Sequence, residues 1–298
     1  MSSRLPRALL ILLMLCAAPL TLAEPAPGNE IVWYMSPWPG LINARDGQPD
    51  SGIIVELLQL ITQRLPEYQH RYSQANLTRG IEQLKHDSLS CLLPTFPTTE
   101  RDEHGYYVGL FATMPHQLVV RTADVPRIGA GQAEVSLQRL LHERSLRGGL
   151  VRDRSYGPSL DPLLQAADVQ AQLQRIQTSS AGSNLYGMLE HGRIDYLLDY
   201  AEVVQYVQRQ QDFARDLRLL PLAEAGMPYV SGIYCSRTEA GAELVRRIDN
   251  IARRPEVIGH FIAAQKAYLP AATLQHYQAW IDRFYAQRPY QDLTSLPR

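Results

Sequence analysis

The chain is poor in the features that most often give a function away. Cysteine is scarce, with three in 298 residues. That is too few for the disulfide framework of a small secreted domain. No Cys/His cluster has metal-ligand spacing and the eight histidines are scattered, so no metal or other cofactor is expected. There is no long basic run, and the formal net charge is −1. Nucleic-acid binding, which depends on neutralising phosphates, therefore lacks electrostatic support. Past the first residues no apolar run is long enough to span a bilayer. No nucleophile–base pair stands out, and the chain reads as a protein that is not an enzyme.

What is present begins with a leader. Arg4 and Arg7 form a positive start, residues 8–20 are apolar, and Thr21-Leu22-Ala23 is a small-residue cleavage site. This pattern predicts a signal peptide over residues 1–23 and export. Cys16 falls inside it, behind a bulky Leu15 where lipid attachment wants a small residue. Cys91 and Cys235 remain, each in an apolar strand-like run. They read as buried free thiols, with a bridge between them as the alternative. Cleavage leaves about 275 residues, more acidic by two charges, near the size at which one core divides into lobes.

The mature chain opens with a strand at 31–35, a turn at 46–50 and a helix at 53–65, whose positions 53, 54, 57, 58, 61 and 65 share an apolar face. A weakly alternating strand at 68–74, a helix capped by Asn76 and an apolar strand at 89–93 follow. Strand–helix–strand–helix–strand predicts a parallel sheet with helices on its faces. Residues 117–121 read as a strand leaving the first lobe, and the polar stretch 122–134 as a crossover. The same grammar recurs from 136 to 222, and 223–227 reads as a second crossover. A return strand and helices at 238–251, 255–268 and 274–285 complete the chain, and residues 288–298 read as frayed. Trp280, Phe284 and Tyr285 form an aromatic stripe that suits either packing on the body or docking.

Three turns carry residue types that suit a ligand. The strand at 89–93 breaks at Pro94 into a hydroxyl-rich turn with Thr95 and Thr98, which delivers Arg101. Hydroxyls, free backbone amides and one guanidinium make a cradle for a carboxylate; a plain surface turn is the alternative. Trp38, between Pro37 and Pro39 just past the first strand, is an aromatic wall or a rigid plug. In an open parallel sheet these two loops share the rim at the strands' carboxyl ends, where ligands bind. The third turn, 152–159, follows a strand in the middle block and includes Ser155 and Tyr156, while the segment 193–200 ends in Asp199 and Tyr200. Facing rims from two lobes make a cleft.

Four blocks in order carry a resemblance. They are Gly52-Ile53-Ile54-Val55-Glu56-Leu57; residues 84–101, ending in Thr98-Thr99-Glu100-Arg101; Met188-Leu189-Glu190-His191-Gly192-Arg193-Ile194-Asp195; and residues 229–251. With them the chain resembles the family 3 periplasmic solute-binding proteins of ABC importers. The resemblance implies an α/β type II periplasmic-binding-protein fold of two lobes, each a mixed, mostly parallel sheet flanked by helices. Residues 24–121 would form the first lobe, 122–226 the second, and 227–298 would return to the first. It implies a periplasmic monomer that closes its hinge on a small carboxylate-bearing ligand, an amino acid or similar, and presents it to a membrane permease. Arg101 would take the α-carboxylate, aided by Thr95, Thr98 and the strand end at Pro94. Ser155 and Tyr156 would reach it from the second lobe, and an acidic residue after the Ile194 strand would hold the α-amino group. The family places that residue five after the aspartate of the third block, which is Tyr200 here; Asp199 lies one earlier, and in a strand one step turns a side chain to the other face. Trp38-Pro39 and Arg154-Ser155-Tyr156-Gly157 are this chain's own features. A ligand-sensing subunit for a membrane signalling protein is the alternative function, and an enzyme on the same scaffold is a third.

Overall fold

A computed structural model describes residues 29–86, 89–129, 131–152, 154–177 and 183–297, and the leader expected at 1–23 lies outside them. The chain begins with strand β1 (Glu30–Met35), a small hairpin of β2 (Asn43–Arg45) and β3 (Gln48–Ser51), and helix α1 (Ile53–Thr62). Then come β4 (Gln69–Gln74), α2 (Leu77–Leu84), β5 (Ser90–Thr95), the single turn α3 (Thr99–Asp102) and β6 (Gly105–Thr113). The middle of the chain holds β7 (Gln117–Arg121), α4 (Val125–Ile128), α5 (Leu137–His142), β8 (Gly148–Val151), α6 (Asp161–Gln165) and β9 (Leu173–Ile176). It continues through α7 (Ser183–Glu190), β10 (Tyr196–Asp199), α8 (Ala201–Gln210) and β11 (Leu217–Leu220). Last are β12 (Tyr229–Ser236), α9 (Glu239–Ala252), α10 (Pro255–Tyr268) and α11 (Ala271–Gln287).

Two five-stranded sheets organise these elements, in the orders β4-β1-β5-β12-β6 and β11-β7-β10-β8-β9. In the first, β1 pairs in parallel with β4 and β5, while β12 runs antiparallel to both β5 and β6. In the second, β8 pairs in parallel with β9 and β10, while β7 runs antiparallel to both β10 and β11. Both sheets are thus mixed and flanked by helices, and the parallel strands of each end on a common rim. One core joins the first sheet to α1, α9, α10 and α11. The second sheet is covered on one face by α5 and α6 and on the other by α7 and α8. Helix α1 buries Ile53, Ile54, Leu57, Leu58 and Ile61, the stripe expected from its 3.6-residue period. Its start needs glycine: Gly52 has φ +117°, and a Cβ there would lie 2.4 Å from the Leu41 carbonyl oxygen.

The structure corrects three expectations. Strand β7 belongs to the second sheet, so the chain crosses between sheets at 114–116, ahead of the polar stretch 122–134. Hydrophobic pattern shows that a strand exists but not which sheet it joins. Cys91 and Cys235 form a disulfide, with sulfurs 2.11 Å apart. They are opposed residues on neighbouring antiparallel strands, β5 and β12, with Cα atoms 4.0 Å apart, a closeness hidden by a separation of 144 residues. The segment after α11 is tied down over its described residues. Arg288 is fully buried on Asp249 at 2.6 Å and donates to the Gly109 carbonyl at 3.2 Å. Beyond it, Leu293 and Ser295 pair with the outer edge of β6, so the strand has no open edge there. The aromatic stripe of α11 packs inward, with Phe284 and Tyr285 buried and Trp280 stacked on Phe284 at 5.4 Å.

Candidate functional site

The rims of the two sheets meet at an aromatic cluster built around one arginine. From the first lobe come Trp38, in the turn after β1, Phe96, just past β5, and Tyr229, which opens β12. From the second come Arg154 and Tyr156, in the turn after β8, and Asp199 and Tyr200, where β10 passes into α8. His116 sits on the first crossing between them. The Arg154 guanidinium carbon lies 4.9 Å from the centroid of Trp38, 5.1 Å from Tyr156 and 5.5 Å from Tyr200. Each such cation–ring contact contributes about 0.5–2 kcal/mol. His116 stacks on Tyr200 at 4.0 Å, and Tyr229 joins its hydroxyl to that of Tyr200 at 2.9 Å. Phe96 stands edge-on to Tyr229 at 4.6 Å, so both first-lobe loops reach the cluster.

Asp199 holds the arginine in place. Its Oδ1 accepts from Arg154 Nη2 at 2.8 Å and from the Tyr200 backbone N–H at 2.9 Å; its Oδ2 accepts from the Tyr186 hydroxyl at 2.9 Å. The side chains of Arg154 and Asp199 are 9% and 2% exposed, so this is a buried ion pair. Burial opposes the arginine's charge, and the Asp199 carboxylate together with Tyr156 and Tyr200 more than offsets it, so Arg154 holds its proton more tightly than an ordinary arginine. The same burial, reinforced by Arg154, pushes His116 well below the usual imidazole range. A neutral His116 then accepts from Arg154 Nη2 through Nε2 at 3.1 Å. Burial, with Asp199 adding to it, pushes Glu202 in the first turn of α8 up to about 7.

Several buried polar atoms here have no hydrogen-bond partner among the described residues: Arg154 Nε and Nη1, Trp38 Nε1 and Glu202 Oε2. Beside the cluster lies a pocket of about 220 Å³, lined by both crossings, at Pro115-His116 and 225–227, by Tyr229 and by Tyr156 to Ser159. The lobes also touch at Gly40. It has φ +78°, and a Cβ there would come within 2.7 Å of the Glu202 carbonyl oxygen, so only glycine lets the Trp38 turn sit on the start of α8. Among the described residues no group of three or more His, Cys, Asp and Glu side chains could hold a metal ion.

The residues singled out from the sequence divide into two groups. Trp38, Tyr156, Asp199 and Tyr200 come together around Arg154. Asp199 and Tyr200 both reach the cluster because β10 ends at Asp199, so strand alternation no longer governs Tyr200. The others serve their own turns. Arg101 donates Nη1 to the Phe96 carbonyl at 2.6 Å, and Thr98 caps α3 by accepting the Arg101 N–H at 3.2 Å. Thr95 is buried opposite Gly232 of β12, and Pro94, half-buried, follows a cis peptide bond. Ser155 is exposed and donates to Asp161 at 2.5 Å, closing the turn that also holds the Tyr156 N–H. Sequence reasoning gave no site role to Arg154, His116, Phe96, Tyr186 and Tyr229. Arg154 lies directly before Ser155, in a turn whose residue types suit a ligand. His116 and Tyr229 carry no local signal, because only the crossings bring them to the rim.

No family model and no curated protein matches the chain by sequence. Solved structures do match. One comes from work on glutathione import via GshT and the cystine ABC importer TcyBC of Streptococcus mutans: TM-score 0.60, 15% identity, over 82% of this chain and 98% of that one. Another is the probable amino-acid ABC transporter extracellular-binding protein ytmK of Bacillus subtilis, with TM-score 0.60 and 12% identity over 80% and 96% of the two chains. A third is a putative L-cystine ABC transporter protein of Listeria monocytogenes, with TM-score 0.57 and 13% identity over 81% and 95%. At these identities the likeness is one of fold: the chain has the two-lobed α/β architecture of amino-acid ABC transporter substrate-binding proteins.

Proposed function

We propose that the protein is a periplasmic solute-binding protein. It traps a small carboxylate-bearing solute between its lobes and presents the closed form to an ABC importer. The observation that carries this reading is the convergence of Trp38, Phe96 and Tyr229 from one lobe with Arg154, Tyr156, Asp199 and Tyr200 from the other. A cleft walled by rings and furnished with a few charged groups is suited to hold a small molecule. Closure then works by population shift: solute contacts made to both lobes favour the closed arrangement. The fold supports the reading, because similar solved structures are described as an L-cystine ABC transporter and an amino-acid ABC transporter extracellular-binding protein. The leader read over residues 1–23 supports export, and no described helix is long and apolar enough to cross a membrane.

A thermal-shift screen of the mature protein over amino acids, 2-oxo acids and other small carboxylates tests the proposal, since a ligand of the folded state raises the unfolding temperature. A concentration-dependent rise for one class, without turnover of the compound, supports a binding protein. Turnover would instead make it an enzyme. No rise for any solute would remove the proposal.

A further inference from the structure

Asp199 lies one residue before the place where the family resemblance would put a partner for a ligand's ammonium group, and it is already committed. Its two oxygens take Arg154, Tyr200 and Tyr186, and its side chain is 2% exposed. The centre of the aromatic cluster is taken as well. Arg154 has three rings within 4.9 to 5.5 Å and a carboxylate at 2.8 Å, the surroundings an aromatic cage offers a cation. A cationic solute would have to displace that guanidinium and leave a buried charge uncompensated.

What Arg154 and Trp38 lack is an acceptor. Arg154 Nε and Nη1 carry three N–H bonds and Trp38 Nε1 a fourth, all buried and without a partner among the described residues. His116, neutral by burial, adds no second charge. The adjoining pocket of about 220 Å³ shares His116 and Tyr156 with the surroundings of Arg154; its other walls carry no charged side chain, Ser159 adding one hydroxyl to an otherwise mostly apolar lining that includes Pro115, Pro158, Met227 and Tyr229. It suits an uncharged body attached to an anionic end. Arg101, by contrast, spends Nη1 on its own turn.

We propose that Arg154 is the anchor that sets specificity: it takes the ligand's carboxylate, and the site selects small carboxylates whose remainder is uncharged while rejecting those that carry an ammonium or guanidinium group. This rests on the solute-binding reading above and narrows it. Matched pairs that differ only in the ammonium group test it, namely 4-methyl-2-oxopentanoate against leucine and phenylpyruvate against phenylalanine, titrated calorimetrically into the mature protein. The 2-oxo acid of at least one pair binds about tenfold or more tighter than its amino acid. Because Arg154→Gln alone strands Asp199, the companion variant is Arg154→Gln/Asp199→Asn, which keeps the charge balanced. It weakens 2-oxo acid binding by about a hundredfold at an unchanged circular dichroism spectrum. Arg101→Gln weakens it by less than about threefold. If the amino acid binds tighter, or if affinity falls in Arg101→Gln and survives in the double variant, the inference is overturned while the solute-binding reading stands. If neither member of any pair binds, and the wider screen is also silent, both are overturned.

Discussion

Glu202 provides a test of how the lobes meet. It lies in the first turn of α8, 4% exposed, at the point where Gly40 of the opposite lobe packs on its backbone. The titratable groups around it are Asp199, Tyr200 and, across the lobe contact, Tyr229, with Arg154 behind Asp199. Burial and the Asp199 charge raise its carboxyl from 4.5 to about 7, against the opposing pull of its own backbone N–H. A carboxyl raised on folding keeps its proton in the folded state over a range where the unfolded chain has lost it. The stability it contributes is therefore complete below pH 4.5 and is lost as pH rises through about 7. Across that window the loss amounts to about 3 kcal/mol. Glu202→Gln keeps the shape and removes the titration. We predict that wild type and variant have similar stabilities at pH 4, and that the variant is more stable by about 3 kcal/mol at pH 8. Urea unfolding at a series of pH values measures the difference, and groups common to both proteins cancel in it. Parallel profiles from pH 4 to pH 8 would refute the burial of Glu202 between the lobes.

Other outcomes follow from the same contacts. Cys91→Ala/Cys235→Ala opens a cross-link between residues 144 apart, a loop whose closure is worth about 5 kcal/mol in the chain-entropy account; urea unfolding measures it. The same bridge predicts that denatured, unreduced mature protein shows no titratable thiol, and one that reacted fully would refute the pairing. Arg288→Ala strips a fully buried partner from Asp249, which keeps Arg253 at 2.6 Å, and also empties the buried volume of the Arg288 side chain; it should cost about 2 kcal/mol by urea unfolding, and a loss under about 0.5 kcal/mol would mean that the C-terminal segment is not docked. Gly40→Ala places a methyl 2.7 Å from the Glu202 carbonyl oxygen at φ +78°, so it should weaken solute binding at unchanged secondary structure; unaltered affinity would show that the Trp38 turn need not sit on α8.

The parts of this fold legible in the sequence are those written in local pattern. The α1 stripe, the β1 and β5 runs and the cap at Asn76 declare themselves within a few residues. What stayed hidden depends on partners far away in the chain. Whether 117–121 closes the first sheet or opens the second is decided by pairing with β10 and β11, and Cys91 meets Cys235 only because β12 returns beside β5. Arg288 looks like a residue of a charged tail until Asp249, a turn from the end of α9, is placed against it. The site divides in the same way. Trp38, Tyr156, Asp199 and Tyr200 were legible because each stands where a strand ends. Arg154 has no such local mark: in its turn the family resemblance gives the ligand contacts to Ser155 and Tyr156. Its burial depends on three rings from three separate segments.

The most direct test of the central claim is a crystal structure of the mature protein with the carboxylate that gives the largest thermal shift. The account predicts that solute between the lobes, its carboxylate within about 3.2 Å of Arg154 Nε or Nη1 and beside Trp38. A carboxylate held by Arg101 instead, or a solute bound away from the rims where the two sheets meet, would contradict it.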